Sequence, residues 1–104
     1  MKPHLYNGER LIATTEQIDG LYYLVPTKDI TSPYELPLWL FKMSTEPAPL
    51  TRFNEWLETR VFPPNRIGVE ELLEQIGLDR YDALLIAKAS EARQMTDEFW
   101  VDFK

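Results

Sequence analysis

Apolar residues at the start of the chain come in short runs separated by turn-forming pairs, a pattern that predicts strands. Leu5-Tyr6 and Leu11-Ile12 flank Asn7-Gly8, the residue pair that best tolerates the positive φ angles of a type I′ hairpin turn. Asp19-Gly20 is a second turn signal and leads into an aromatic and β-branched run at 21–25. Residues 1–26 are therefore predicted to form an antiparallel meander of about three strands.

Residues 27–50 interrupt the regular pattern because they are rich in proline. Each proline fixes its own φ and restricts the residue before it, so no long helix is expected there. Between the prolines, the apolar run Leu38-Trp39-Leu40-Phe41 is compatible with a buried strand or with one helical turn. The run is too short for its periodicity to decide. The segment is therefore predicted to be a proline-rich connection.

In residues 51–104 the apolar spacing changes to that of helices. Four residues recur at i, i+3, i+4 and i+8 and so share one helix face: Phe53, Trp56, Leu57 and Val61. Thr51 is the predicted N-cap of this first helix, because its hydroxyl can accept a hydrogen bond from a free backbone N–H of the first turn. Pro63-Pro64 end the helix.

Two more helices are predicted downstream. Asn65 is the expected N-cap of the second helix, which ends at Gly77 in a left-handed conformation. Its apolar face holds Val69, Leu72, Leu73 and Ile76, and its solvent face holds Glu70, Glu71 and Glu74. Asp79 is the expected cap of the third helix, which should be the most buried of the three. Its inward residues are expected to be Tyr81, Leu84 and Leu85.

The C-terminal segment 96–104 is unusually aromatic, and its aromatic side chains must pack on the body of the protein. They are Phe99, Trp100 and Phe103. Taken with the meander and the helices, this predicts an α+β fold in which a small antiparallel sheet packs against three short helices. A chain of 104 residues has room for one hydrophobic core, so residues 1–104 are expected to form a single domain.

Composition and charge narrow the function classes. The formal charge of −6, from 17 acidic and 11 basic residues, makes nucleic acid an unlikely partner because phosphates would be repelled. There is no cysteine, and no apolar stretch is long enough to cross a bilayer. We therefore expect a cytoplasmic protein without a membrane anchor.

No residue pattern points to catalysis, a metal or a cofactor. The lone His4 has no second histidine to form a usual metal site or a catalytic triad, and is expected to be a surface residue. The glutamates of the second helix lie where the pattern predicts solvent. The glycines form none of the known phosphate-binding loops. We therefore expect no enzymatic activity.

Two arginines flank the break between the first two helices. Arg60 closes the first helix, where the helix dipole favours a cation, whereas Arg66 opens the second helix, where a cation is unfavourable. A residue in an unfavourable position is expected to have a specific partner. That partner is either a carboxylate, such as Asp97 or Asp102, or a partner protein or anionic group.

The aromatic content indicates a surface for another protein. Trp39, Trp56 and Trp100 are expected to be largely in the core. A 12.2 kDa domain can hardly bury three Trp, five Tyr and five Phe completely, so one aromatic face should remain exposed. An apolar patch of that kind typically marks a protein interface.

Two segments of the chain resemble a known family. The matching residues are Asn54-Glu55-Trp56, Arg60, Pro63 or Pro64, Arg66, Gly68 and Leu72, then Thr96-Asp97 and Phe99-Trp100. This pattern is similar to a segment at the front of bacterial HipA-like kinases. The chain also resembles small stand-alone proteins encoded beside such kinases, whose starts read like Leu5-Tyr6-Asn7-Gly8. The resemblance implies an accessory module without kinase activity, because nothing here corresponds to the kinase's nucleotide-binding and catalytic segments. It also implies a partner that binds and restrains the kinase in a toxin–antitoxin-type system.

The leading interpretation is a non-enzymatic protein-interaction module. Its candidate interface residues are Trp56, Arg60, Arg66, Phe99 and Trp100. The alternative is a small ligand-binding protein or enzyme that holds an anionic ligand with Arg60 and Arg66. DNA binding by the helical half ranks last because its second helix would present glutamates to phosphates. A homo-oligomer is also compatible with the sequence.

Overall fold

A computed structural model describes residues 2–104, which form one sheet and four α-helices. The strands are β1 His4–Asn7, β2 Arg10–Ile18, β3 Leu21–Pro26, β4 Ala48–Pro49 and β5 Phe99–Asp102. The helices are α1 Leu38–Phe41, α2 Leu50–Glu58, α3 Val69–Gln75 and α4 Ala83–Ser90, with a 3-10 turn at Pro33–Glu35. The predicted α+β class, a small antiparallel sheet with three short helices, is confirmed; α1 adds a single helical turn.

All neighbouring strands of the sheet run antiparallel, in the order β4-β3-β2-β1-β5. The meander β1 to β3 agrees with the prediction. The two outer strands were not predicted. β4 comes from the proline-rich connection, and β5 comes from the aromatic C-terminal segment. The aromatic C-terminal part of segment 51–104 thus contributes an edge strand to the sheet.

The two hairpin turns differ in type. In the second turn, Asp19 and Gly20 both have positive φ, 50° and 83°, as a type I′ turn requires. In the first turn, the two residues between the strands are Gly8 and Glu9, and only Gly8 has a positive φ, of 60°. That is the signature of a type II′ turn, so the predicted Asn7-Gly8 turn is displaced by one residue.

One face of the sheet supplies part of the core. Leu5 pairs with Ala13 on β2 and with Val101 on β5, and all three side chains are fully buried. Helix α2 covers this face, and its Phe53 and Leu57 are also buried. Because strand side chains alternate in direction, Tyr6 and Trp100 project from the opposite face.

The three predicted helix caps are all displaced. Helix α2 begins after Pro49 rather than Thr51, and α3 begins after Gly68 rather than Asn65. The N-cap of α4 is Asp82, whose Oδ1 accepts a hydrogen bond from the backbone N–H of Leu85 at 3.2 Å. Asp79 lies upstream of this helix and does not cap it.

Burial in the helical half also differs from the prediction. Helix α2 is the most buried, whereas α4 buries only Ile86 and Ala87 and leaves Leu85 exposed. The end of α3 agrees with the prediction: Gly77 has a φ of 79°, and the backbone N–H of Leu78 donates to the carbonyl of Leu73 at 2.9 Å. The glutamates of α3 are exposed, as predicted.

Candidate functional site

Arg60 is the most heavily bonded polar side chain that the sequence singled out. Its Nε donates to the carbonyl of Ala92 at 2.6 Å, and its Nη2 donates to the carbonyl of Phe99 at 3.0 Å. The guanidinium also forms a two-pronged ion pair with Asp97, with N–O distances of 2.9 Å and 2.7 Å. The Arg60 side chain is 4% exposed and that of Asp97 is 30% exposed. Arg60 is therefore a structural cross-link between the end of α2 and the segment before β5.

The cross-link holds a strained corner in place. Glu91 and Ala92 follow α4 with φ angles of 55° and 56°, a left-handed conformation that costs residues other than glycine about 1–2 kcal/mol each. The carbonyl of Glu91 accepts a hydrogen bond from the N–H of Val101 at 2.8 Å, and the carbonyl of Ala92 accepts from Arg60. The corner is thus held by β5 and by Arg60, which follows α2.

The Arg60–Asp97 pair also joins the two segments that carry the resemblance described above. Arg60 lies in the first segment, and Asp97 lies in the second. The spacing of these motif residues therefore follows from the fold, because each supplies half of one buried contact. Their presence is explained without any partner protein.

The Arg60–Asp97 ion pair makes the stability of the protein depend on pH. Hydrogen bonds from Arg60 hold the pKa of Asp97 below its ordinary value of 3.8, against the opposing effect of burial. Because the folded-state pKa is the lower one, this stabilisation is complete above about pH 4 and is lost as the pH falls through the folded-state pKa. We expect the difference in free energy of unfolding between the wild type and Asp97→Asn to be largest at neutral pH. It should shrink below about pH 4, as measured by urea unfolding across that range.

A matched variant controls for general acid effects. Glu98 is an exposed neighbour of Asp97 with no ion pair among residues 2–104. Glu98→Gln should follow the wild-type curve at every pH. A difference between wild type and Asp97→Asn that stays constant into strong acid would contradict the assignment of this pH dependence to Asp97.

Trp56 and Phe99, two other predicted interface residues, pack mainly on the core. Trp56 is 5% exposed and stacks on Phe53, with ring centroids 5.9 Å apart. The guanidinium of Arg60 lies 4.5 Å from the centre of the Trp56 ring. Phe99 is half-buried and packs against the same core. Trp56 is therefore a core residue, as the sequence predicts, and Trp56 and Arg60 expose little surface for another molecule to contact.

Trp100 lies on the outer face of the sheet but is covered by its own chain. Tyr6 stacks on it with a centroid distance of 4.5 Å, and the Arg93 guanidinium lies 4.5 Å from its ring centre. Its indole N–H donates to the carbonyl of Gly8 at 2.7 Å. The ring is half-buried. Trp100 therefore fastens β5 to β1 rather than presenting a free aromatic face.

Arg66 is exposed and makes no ion pair within residues 2–104, so the predicted pairing with Asp97 or Asp102 is wrong for this residue. It borders a shallow depression shared with Glu70 and Glu71. Arg60 commits four hydrogen bonds to protein acceptors, so little of it is free to clamp an anion together with Arg66. His4 is half-buried rather than exposed, and burial lowers its pKa.

The exposed apolar surface lies instead on the proline-rich connection. Tyr34 is 73% exposed, Trp39 is 54% exposed and Met43 is 57% exposed. Leu38 is also exposed. We call these four residues the Trp39 surface. Sequence reasoning placed Trp39 in the core, and the helical-turn alternative for residues 38–41 explains its exposure. Leu38 and Trp39 point outward because the next two residues, Leu40 and Phe41, occupy the buried side of the turn.

Trp39 stands between two grooves. The Asp97 groove, of about 410 Å³, runs from Tyr34 past Trp39 to Asp97 and Phe99, with the edge of Trp56 in its wall. The Arg52 groove, of about 570 Å³, lies on the other side of Leu38 and Trp39. Its remaining lining residues are Lys42, Met43, Arg52 and Glu55. Tryptophan is one of the residue types enriched among the residues that contribute most to protein interfaces.

The segment that carries this surface is rigid. Before it, Ser32 and Glu35 form a capping box: the Ser32 hydroxyl accepts from the N–H of Tyr34, and the Glu35 carboxylate accepts from the N–H of Ser32. After it, the Ser44 hydroxyl donates to the carbonyl of Phe41 at 2.9 Å. Pro37 between them is buried. Little conformational entropy would therefore be lost when another molecule binds here.

A second exposed apolar group lies at the tip of the β2–β3 hairpin, where Ile18 and Leu21 pair across the strands. Neither residue lines either groove beside Trp39. Through residues 2–104, no helix has the length and apolar character needed to cross a membrane. In the same residues, no three acidic or histidine side chains converge to hold a metal ion.

Comparison with known proteins identifies no relative of this chain. No protein-family model matches the chain, no curated protein is detectably similar in sequence, and no solved structure matches its fold. The function of this α+β domain therefore has to be argued from the Trp39 surface and from the contacts of its own residues.

Proposed function

We propose that this chain is a non-enzymatic protein-interaction module that binds its partner through the Trp39 surface. The proposed partner is a HipA-like kinase, which the chain would restrain as an accessory or antitoxin-like subunit in the bacterial cytoplasm. The observation that carries the proposal is the exposure of Trp39 between two grooves on a rigid segment. Tryptophan is among the residues that contribute most to interface affinity.

The resemblance to HipA-associated proteins supports the choice of partner. Its residues do not form the contact themselves, because Arg60, Asp97 and Trp56 serve the fold. They do line the Asp97 groove from below, next to Trp39. The residues that carry the resemblance therefore support the fold. The Trp39 surface is the neighbouring region that another protein can contact.

The positions of Arg60 and Arg66 give less support to the alternative, in which the two arginines hold an anionic ligand together. Arg60 is engaged by backbone carbonyls and Asp97, and Arg66 borders a different depression. The side chains of the Trp39 surface, by contrast, leave apolar area exposed to water. An interface that buries them would gain roughly 25 cal/mol for each Å² of apolar surface removed from water.

Truncation of the anchor should weaken binding without unfolding the domain. We expect Trp39→Ala to reduce affinity for a purified HipA-like kinase from the same genome by about 30-fold, the effect of losing an interface residue worth about 2 kcal/mol. Isothermal titration calorimetry measures the dissociation constant. Thermal unfolding of each variant checks that the fold is retained.

Two exposed apolar residues elsewhere provide matched controls. Met95 and Ile67 are fully exposed and line neither groove. Met95→Ala and Ile67→Ala should leave the affinity unchanged. Equal binding of the kinase by wild type and Trp39→Ala would remove the Trp39 surface from the proposal, and the absence of any kinase binding by the wild type would overturn the proposed function.

A further inference from the structure

We infer that the Arg52 groove receives an amphipathic peptide segment whose apolar side chain is flanked by carboxylates. This inference rests on the proposed function, since it names the chemistry of the partner segment at the same surface. The groove has an apolar floor and a cationic rim, and each part selects a different feature of its occupant.

The cationic rim runs against the charge of the whole chain. The protein carries a formal charge of −6, yet Lys42 and Arg52 both line this groove and Glu55 is the only acid beside them. Within residues 2–104, neither Lys42 nor Arg52 forms an ion pair with a carboxylate. Two unpaired cations beside exposed apolar groups form a site complementary to acidic side chains.

Arg52 is fixed in position by the fold. Its Nε donates to the carbonyl of Leu40 at 2.7 Å, which ties the guanidinium to the buried end of α1. Its two terminal nitrogens have no hydrogen-bond partner within residues 2–104. A guanidinium held at one nitrogen and open at the other two is arranged for a carboxylate, because the planar fork matches both carboxylate oxygens.

The apolar floor of the groove selects the apolar side chain of the bound peptide. Leu38, Trp39 and Met43 line the groove, and the flexible thioether of Met43 can adapt to an inserted side chain. The phosphates of nucleic acid are repelled by the net charge of −6. A peptide that combines one apolar anchor with neighbouring Asp or Glu residues satisfies both halves of the groove.

A selection from random peptides tests this inference without requiring the kinase. A phage-displayed random library is panned against the intact wild-type domain and against Lys42→Glu, Arg52→Gln and Trp39→Ala. We expect the wild type to enrich peptides with an apolar anchor and an excess of Asp and Glu over the unselected library. A selected peptide should bind Lys42→Glu about fivefold more weakly, the effect of reversing one exposed charge contact.

The choice of variants keeps the test valid if one of them does not fold. Lys42 is exposed and its side chain makes no hydrogen bond within residues 2–104, so Lys42→Glu should fold even if Arg52→Gln does not. Trp39→Ala should enrich no peptide of this class. If the wild type enriches nothing, or enriches peptides without an acidic excess, or if Lys42→Glu binds a selected peptide equally well, the inference is overturned.

The two proposals fail in different ways. Suppose that the kinase binds through Trp39, that Lys42→Glu does not change this binding, and that the library yields no acidic peptides. The proposed function would then stand and this inference would be overturned. Selection of acidic peptides by a wild-type domain that does not bind the kinase would support the groove chemistry and overturn the kinase as partner.

Discussion

Replacing Arg60 with methionine should lower the free energy of unfolding by about 3 kcal/mol, as measured by urea denaturation at neutral pH. The loss arises because Asp97 and the carbonyls of Ala92 and Phe99 would all be left without their buried donor. Breaking a buried ion pair costs about 3–5 kcal/mol, and the lower end applies because Asp97 is 30% exposed.

The other flanking arginine is the matched control for this change. Arg66 is exposed and unpaired within residues 2–104, so Arg66→Met should change stability by less than about 0.5 kcal/mol. The free energy of unfolding of Arg60→Lys should lie between those of Arg60→Met and Arg66→Met. A lysine ammonium cannot reproduce the four hydrogen bonds that the planar guanidinium makes. Equal stability of the two methionine variants would contradict the role of Arg60 as a cross-link.

Replacing Trp56 with alanine should cost about 3–5 kcal/mol of stability, the range for removing a large aromatic side chain from a core. Trp56 is 5% exposed, stacks on Phe53, and faces the guanidinium of Arg60 at 4.5 Å. The variant would lose all three contributions and leave a cavity beneath α2. Thermal and urea unfolding measure the loss.

Trp39 offers a comparison with the same side chain in the opposite environment. It is 54% exposed, so Trp39→Ala should cost much less stability than Trp56→Ala while weakening partner binding. Trp56→Phe should recover part of the stability lost in Trp56→Ala because it keeps an aromatic ring against Phe53. A similar loss of stability in both alanine variants would show that the Trp39 surface belongs to the core.

The meander was predictable because its signals are local. A two-residue turn with Asp19-Gly20 and the strand run that follows it specify a hairpin within about ten residues of sequence. Gly77 was equally predictable, since a left-handed helix end favours glycine. Strand β5 was not, because its four residues join a partner strand from the other end of the chain. Their aromatic composition indicates packing but not the pairing partner.

The helix caps were misplaced for a related reason. Asn, Asp and Thr can cap a helix at several nearby positions, and tertiary packing selects among them. Asp79 and Asp82 both satisfy the sequence rule for α4, and only Asp82 accepts the hydrogen bond of Leu85. Tyr81 lies between the two aspartates, outside the helix, and its hydroxyl donates to the carbonyl of Phe62.

The candidate site shows where sequence reasoning reaches its limit. Arg60 and Asp97 could be named as partners in an ion pair, but the arginine that makes the pair depends on the path of the chain. Trp39 and Trp56 are each followed by a leucine, Leu40 and Leu57, so the local sequence does not separate them clearly. Their different burial follows from a single helical turn at Leu38–Phe41 that is too short to be read from periodicity.

The pairing of β5 with β1 also determines when the molecule can fold during its synthesis. The indole of Trp100 bonds to the carbonyl of Gly8 across a separation of 92 residues. The outer edge of β1 is therefore left uncovered until β5, about 92 residues later in the chain, has been synthesised. Until then β1 presents unpaired backbone groups that another nascent chain can pair with, so native closure of the sheet must occur after translation of this segment is complete.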